Sequence, residues 1–307
     1  MYNVCPIFPP RRTDDPDQAA EAGPAAAGHE RQRKEGDEPR LPYPGWVSDP
    51  AQAASRAAPR TPAEGTADVW WARTRDASPR LAGLLDQTER GRWAGYRRDA
   101  DRDRFVVGCA LAKTVIGACT GRAPADLSFD RTCRECGRPH GKPVLRHAAL
   151  EFSVAHSGDL VAVAVATAPV GVDVEQLAGR PHELGGGDPA SLARVVLAEP
   201  ERQQLAAVDP AGQARAFLVA WARKEAVTKA KGDGMRVPFS EVVVAADAGA
   251  PRLKAWPYPE DPRGVSLLDL DAGPGYVAAL AVLGRCHTAR ARDGSALLNG
   301  PAVEPAG

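Results

Sequence analysis

The sequence predicts an α+β fold, in which strands and helices come in separate blocks. Two observations lead to this class. Strand-like and helix-like segments follow the order strand, helices, strands, and this order then occurs a second time. The patterned part of the chain is also long enough, at about 220 residues, to bury a sizeable core. No internal sequence identity is visible, so a duplicated architecture rests only on the order of the elements.

The first block combines one strand, three helices, a loop and three further strands. The leading strand is rich in aromatic and branched residues, and the third helix has an apolar face and can end at Gly121. A Ser157-Gly158-Asp159 turn joins the first two of the closing strands. The predicted bounds are 67–72; 78–86, 88–98 and about 101–118; 127–143; and 150–157, 160–167 and 170–175.

The second block follows a glycine-rich linker and consists of three helices and four strands. Both ends of the chain lack apolar periodicity, and the first 62 residues hold 11 of the 28 prolines. Such segments bury too little surface to offset their chain entropy, so we expect disordered tails at 1–64 and 288–307. The predicted bounds are 176–187 for the linker, 189–197, 200–207 and 212–231 for the helices, and 242–246, 252–255, 265–270 and 276–283 for the strands.

Composition narrows the class of protein. The 307 residues include 39 basic and 39 acidic side chains, so net charge gives no support for binding nucleic acid or an anionic membrane. No apolar run reaches the length of a transmembrane helix, and the N-terminus lacks the pattern of a signal peptide. We therefore expect a cytoplasmic protein whose six cysteines are reduced thiols.

The segment 217–232 is predicted to be a helix with an unusual stripe. Trp221, Glu225 and Lys229 are spaced four apart, so an aromatic ring, a carboxylate and an ammonium share one face. A solvated helix rarely places a Trp on such a face, and a core-facing helix rarely places Glu and Lys there. The stripe is therefore interpreted as half-buried, with its polar members directed at a charged group. The alternative is an exposed Glu–Lys pair with Trp221 as an anchor at its edge.

Two carboxylates follow on the strand 170–175. Alternate residues of a strand face the same way, so Asp173 and Glu175 point together while Val172 and Val174 pack behind them. Paired carboxylates repel each other unless a cation or a proton lies between them, and hard oxygen ligands suit Mg²⁺. The alternative is an edge strand with a solvated acidic face.

Two shorter motifs lie upstream. His156 ends an apolar strand, where it could contact phosphate or serve as a structural histidine. The run Cys133-x-x-Cys136-x-x-x-His140 offers two thiolates and an imidazole in the predicted loop. Zinc would need a fourth ligand, and no second Cys-x-x-Cys follows, so a thiol-bearing loop is the favoured interpretation over a structural zinc site.

The order of these motifs resembles the 4′-phosphopantetheinyl transferase superfamily, in its type with two halves in one chain. Three blocks carry the resemblance, and Gly141-Lys142-Pro143 with Asp101-x-x-Arg104 add to it. Departures occur at Ala155, where many members have Ser, and at Ser153, where Asn is common. The blocks are Phe-Ser-Val-Ala-His-Ser at 152–157, Gly-Val-Asp-Val-Glu at 171–175 and Trp-x-x-Lys-Glu-x-x-x-Lys at 221–229.

The resemblance implies a fold, an activity and a set of roles. It implies two similar α+β subdomains, 65–168 and 169–287, related by a pseudo-twofold axis with the active site between them in a monomer. It implies transfer of the 4′-phosphopantetheine arm of coenzyme A to a serine of an apo acyl or peptidyl carrier protein, as in polyketide or nonribosomal peptide biosynthesis, releasing 3′,5′-ADP. By this resemblance Asp173, Glu175 and Glu225 hold Mg²⁺, Glu225 and Lys229 are catalytic, and Arg104, Lys142, His156, Ser157 and Lys224 contact coenzyme A.

Two other functions remain open at this point. A Mg²⁺-dependent phosphohydrolase could use the same three carboxylates and would release phosphate without a carrier protein. A non-catalytic module that binds carrier proteins could keep the fold, although the metal ligands and Lys229 are all present here.

Overall fold

The structure is a computed structural model that describes residues 58–133, 136–177, 189–245 and 250–300. The predicted N-terminal tail lies outside the described residues up to 57, and the predicted linker lies outside them from 178 onward. Residues 58–63 form neither helix nor strand.

The predicted α+β class is confirmed, with nine strands and seven α-helices in the part of the chain that the structure describes. The strands are β1 Thr66–Arg73, β2 Glu151–Ser157, β3 Leu160–Ala166, β4 Val170–Gln176, β5 Val243–Val244, β6 Leu253–Ala255, β7 Val265–Leu270, β8 Tyr276–Leu283 and β9 Thr288–Asp293. The helices are α1 Pro79–Ala82, α2 Gln87–Gly95, α3 Asp99–Thr120, α4 Pro189–Val196, α5 Glu199–Ala206, α6 Pro210–Lys231 and α7 Gly294–Asn299.

The first sheet has four strands in the order β2-β3-β1-β9. Its central strand β3 is buried on both faces, and the two faces differ in size because successive side chains alternate. Val161, Val163 and Val165 belong to the cluster formed with α3, whereas the alanines between them face a different cluster. The valine face therefore packs against the long helix, and the alanine face allows a second layer to approach closely.

The second sheet has the strand order β4-β8-β7 and is covered by α6. On β8, Val277, Ala279 and Ala281 pack in the cluster that contains α6, while Leu280 and Val282 join the alanine face of β3. The layers thus run α3, first sheet, second sheet, α6. The subdomain boundaries and the pseudo-twofold axis stay predictions.

Serine hydroxyls connect the two sheets along β2 and β4. The N–H of Val172 donates to Ser153 Oγ at 3.1 Å, and the N–H of Gln176 donates to Ser157 Oγ at 3.1 Å. The two bonds keep the same offset along both strands. They therefore fix the position of β4 relative to the end of β2.

The predicted C-terminal disorder is wrong for residues 288–300. Strand β9 pairs in parallel with β1, and α7 follows it. Arg292 donates to the buried Asp68 at 3.3 Å, and Asn299 donates to Asp76 at 3.0 Å. The Ala- and Arg-rich segment has little strand propensity of its own, and its partners lie more than 200 residues earlier, so the sequence pattern did not indicate it.

Two other differences are local. The helix predicted at 78–86 is limited to the four residues of α1, after which Gly83, Leu84 and Leu85 each donate to the carbonyl three residues earlier in a tighter turn. The predicted cap Gly121 does end α3, in the left-handed conformation. Within the described residues, no helix combines the length and the apolar character needed to cross a bilayer.

Candidate functional site

Gly171 brings helix α6 into direct contact with strand β4. A Cβ atom at this position would lie 2.0 Å from the carbonyl oxygen of Ala226 and 2.4 Å from the backbone nitrogen of Ala230. Only glycine therefore permits this approach. It places the stripe of α6 against the carboxylate face of β4.

The stripe and the strand meet through specific hydrogen bonds. Lys229 Nζ lies 2.6 Å from Asp173 Oδ1, and Trp221 Nε1 donates to Glu175 Oε1 at 3.1 Å. Ser157 Oγ donates to the other oxygen of Glu175 at 3.0 Å. The half-buried interpretation of the stripe is confirmed, with Glu225 between Trp221 and Lys229 on the helix.

The three carboxylates perturb one another. Burial, with the neighbouring Asp173 charge, raises the pKa of Glu175 to about 8. Burial raises the pKa of Glu225 to about 7, with the Lys229 ammonium opposing the rise and Asp173 adding to it. Burial also raises the pKa of Asp173, against the opposing effect of Lys229. Several acidic groups with one ammonium leave an excess of negative charge, which favours a cation or a proton.

The donor set fits a hard divalent cation. Asp173 Oδ2 is buried and has no hydrogen-bond partner among the described residues, so one oxygen remains for a ligand. Oxygens bound to one Mg²⁺ at about 2.1 Å lie at most about 4.2 Å apart. The oxygens of Asp173, Glu175 and Glu225 do not all lie within 4.8 Å of one another. A metal bound by all three therefore requires a side-chain rotation.

His156 and Arg104 lie beside this acidic cluster. Burial, followed by nearby positive charges that include Lys229 and Arg104, lowers the pKa of His156 well below its usual value. His156 is therefore neutral at pH 7. Arg104 on α3 reaches the turn after β2, where its Nε donates to the carbonyl of Gly158 at 2.6 Å. The structure thus brings these two predicted residues to the same end of β2.

Lys224 does not belong to the site, and its predicted contact with coenzyme A is wrong. Its side chain is fully buried, and its Nζ lies 2.5 Å from Glu201 Oε2. It also donates to the carbonyls of Val196 at 3.0 Å and Phe239 at 2.8 Å. Lys224 directly precedes Glu225, and one helical step turns its side chain about 100° away from the stripe.

Lys142 lies at the opposite end of β4 from the carboxylates. Its Nζ contacts Glu151 Oε2 at 3.3 Å and the carbonyls of Val170 and Ala230, both at 3.2 Å. Val170 is three residues, about 10 Å, along the strand from Asp173. In this structure Lys142 ties its loop to β4 and to the end of α6, and its predicted contact with coenzyme A stays a prediction.

Sequence reasoning missed two parts of the site. It gave Trp221 no hydrogen-bonding role, although the indole N–H, which can only donate, indicates a need for an acceptor when the ring is buried. It also gave no role to Gly171, although a glycine inside a strand often indicates a close backbone approach. Both residues position the carboxylates without being acidic themselves.

Comparison with known proteins gives matches to one family. A model of the 4′-phosphopantetheinyl transferase superfamily matches residues 169–281, which contain all three carboxylates. The 4′-phosphopantetheinyl transferase HetI of Nostoc is 30% identical over 66% of this chain and 81% of its own length. A putative 4′-phosphopantetheinyl transferase of Synechocystis is 28% identical over 57% and 68% of the two chains.

A third relative, the 4′-phosphopantetheinyl transferase Sfp of Bacillus subtilis, is 23% identical over 67% of this chain and 86% of its own length. The matches therefore extend over most of the length of these relatives. The chain belongs to the 4′-phosphopantetheinyl transferase superfamily.

Proposed function

We propose that this protein transfers the 4′-phosphopantetheine arm of coenzyme A to a serine of an apo acyl or peptidyl carrier protein. One observation carries the proposal: in a member of this family, Lys229 on α6 contacts Asp173 on β4, and the Asp173 charge contributes to the raised pKa values of both Glu175 and Glu225. Attack of the serine oxygen on the phosphorus that bears the pantetheine arm forms one P–O bond. The P–O bond to 3′,5′-ADP breaks in the same transfer.

Each side chain of the site has a separate role in this reaction. Glu225 takes the proton of the carrier serine, which is a weak nucleophile without a base. Lys229 stabilises or protonates the departing phosphate of 3′,5′-ADP. Trp221 and Ser157 each donate a hydrogen bond to Glu175 and hold its carboxylate in place.

Asp173, Glu175 and Glu225 are the residues that would hold Mg²⁺. The metal would supply positive charge at the diphosphate of coenzyme A. Without such a cation, the three carboxylates would repel this anionic substrate. The free oxygen of Asp173 supports the assignment.

His156, Ser157, Arg104 and Lys142 are proposed to contact coenzyme A. Arg104 supplies positive charge beside the turn after β2, and the neutral His156 can donate a hydrogen bond to phosphate. We further propose that the protein acts as a monomer in the cytoplasm, with the site between two subdomains, 65–168 and 169–287.

Transfer is tested by incubating the protein with coenzyme A, Mg²⁺ and a panel of apo-carriers and measuring the intact mass of each carrier. One added phosphopantetheine on a carrier serine is the expected result. Glu225→Gln should lower the transfer rate at least about 100-fold without loss of folding, because the base is removed. The control Glu241→Gln alters an exposed glutamate outside the site and should retain full rate.

The same assay separates the competing functions. A phosphohydrolase would release phosphate from coenzyme A when no carrier is present. A non-catalytic module would bind the carrier and leave its mass unchanged. Unchanged transfer in Glu225→Gln would contradict the role assigned to that residue.

A further inference from the structure

The loop between α3 and β2 brings together three side chains that the proposed transfer does not use. Cys133, Cys136 and His140 each offer a ligand atom, and these atoms all lie within 4.8 Å of one another. Among the described residues, this is the only such group of three or more His, Cys, Asp and Glu side chains. Two sulfurs and one imidazole nitrogen form a soft donor set, unlike the oxygen donors on β4.

The backbone of the loop holds the two thiols in a tight turn. Gly137 has a φ of +66°, which favours glycine, and its N–H donates to the carbonyl of Cys133 at 2.9 Å. The N–H of Cys133 donates to the carbonyl of Arg138 at 2.8 Å and closes the turn. The side chain and the backbone N–H of Arg138 both donate to the sulfur of Cys136. Such N–H donors stabilise a thiolate that binds a metal.

The distances between the ligand atoms suit a tetrahedrally coordinated ion. With Zn–S near 2.3 Å and Zn–N near 2.0–2.1 Å, ligand atoms on one zinc lie about 3.4–3.8 Å apart. Cys136 Sγ and His140 Nε2 are 2.8 Å apart, so an ion between them requires only a small opening. His140 is fixed by its own N–H, which donates to the carbonyl of Arg138 at 2.9 Å. The three ligands are therefore already held on one side of the turn.

A bound ion would also stabilise the conformation of this loop. Among the described residues of this loop, the isolated bridge between Asp130 and Val144 is the only β-pairing, and Cys136 is exposed. A short segment without a core of its own can be stabilised by a metal instead. The same loop carries Lys142, whose Nζ contacts the backbone of β4 and the end of α6.

We propose that Cys133, Cys136 and His140 bind one Zn²⁺ ion, with the fourth position taken by water or an added small ligand. The bound ion would fix the loop that positions Lys142. The sequence alone favoured a plain thiol loop because no fourth protein ligand follows. The geometry favours zinc because the fold brings three soft donors to one point.

The test measures metal content in full-length protein that is purified and kept reduced. Bound metal is removed with a chelator, and the protein is reloaded with Zn²⁺. Excess metal is then removed, and the zinc that remains bound is quantified by elemental mass spectrometry. We expect about one zinc per chain for a tight site of this kind. Cobalt should bind with the charge-transfer absorption of a thiolate ligand.

Variants identify the ligands. Cys133→Ser, Cys136→Ser and His140→Ala should each lose most of the zinc, and Cys136→Ser and His140→Ala alter more accessible positions than the buried Cys133. The control Cys286→Ser removes a thiol outside the group and should keep one zinc per chain. Circular dichroism shows whether each variant is folded.

Chelation gives a second readout that does not depend on transfer activity. It should lower the Tm of the unaltered protein and leave that of Cys136→Ser unchanged. Zinc far below one per chain in the reloaded protein would overturn the proposal. So would full zinc content in folded Cys136→Ser and His140→Ala, or a Cys133–Cys136 disulfide that persists under reducing conditions.

Discussion

Replacement of Gly171 by alanine tests whether the contact between α6 and β4 builds the site. The added Cβ would lie 2.0 Å from Ala226 O and 2.4 Å from Ala230 N, whereas ordinary contact begins at 3.4 Å. Both atoms belong to the helix backbone, so no side-chain rotation relieves the overlap. The helix must retreat by about 1.4 Å or the strand must bend.

The expected loss in the free energy of unfolding is large for the addition of a single methyl group. Overpacking typically costs about 1–3 kcal/mol of stability. The upper end applies because the added Cβ clashes with two backbone atoms. For a core of this size, about 3 kcal/mol lowers Tm by about 6–12 °C. A displacement near 1 Å would also separate Glu225 and Lys229 from the strand, and such misplacement can reduce catalysis about 100-fold.

The assay combines thermal unfolding with carrier transfer measured by intact mass. Gly91→Ala is the matched control, since a Cβ at Gly91 on α2 meets nothing within 4 Å. That control should be neutral or more stable by up to about 1 kcal/mol. If Gly171→Ala matched it in both Tm and transfer rate, the packing argument would be refuted.

Three further predictions concern stability. Lys224→Met leaves Glu201 as an unpaired buried carboxylate and should cost about 3–5 kcal/mol in denaturant unfolding, with coenzyme A affinity of the folded protein unchanged. Tyr276→Phe removes the hydrogen bond that is the main cause of the lowered pKa of Asp159, so an NMR titration should show that pKa rising. Asp159 then contributes less of the stability that is present at neutral pH and lost as pH falls. Truncation before β9 uncovers the edge of β1 and should lower Tm and promote aggregation in light scattering.

Each of these has an outcome that contradicts it. Wild-type stability of Lys224→Met would show that the buried ion pair is not needed. An unchanged titration of Asp159 would assign its low pKa to Arg73 instead. A truncated chain as stable as one that ends after α7 would show that β9 adds little to the first sheet.

Local patterns predicted most elements well. The bounds of β7 and β8 agree with the sequence prediction, because apolar strand runs and the turn residues that bound them are properties of neighbouring positions. The end of α3 at Gly121 follows from the conformational freedom of glycine. The pattern failed for β9, whose stability comes from pairing with a strand more than 200 residues away.

The sequence likewise predicted the local parts of the candidate site but not the contact between them. The spacing of Asp173 and Glu175 predicted one shared face of a strand, and the spacing of Trp221 and Lys229 predicted one shared face of a helix. Neither spacing shows that the two faces meet. That contact depends on Gly171, which lets the helix backbone reach the strand.

The sequence by itself determined the α+β class, the two faces that carry acidic residues, and the family resemblance. Each of these depends on local patterns of residues and on the order of those patterns along the chain. Only the tertiary structure decided that Lys229 faces Asp173 while Lys224 is buried against Glu201, and that two cysteines and a histidine meet in one loop. The physical reason is that helix rotation and loop closure are fixed by packing between distant segments, and close packing leaves one arrangement of each.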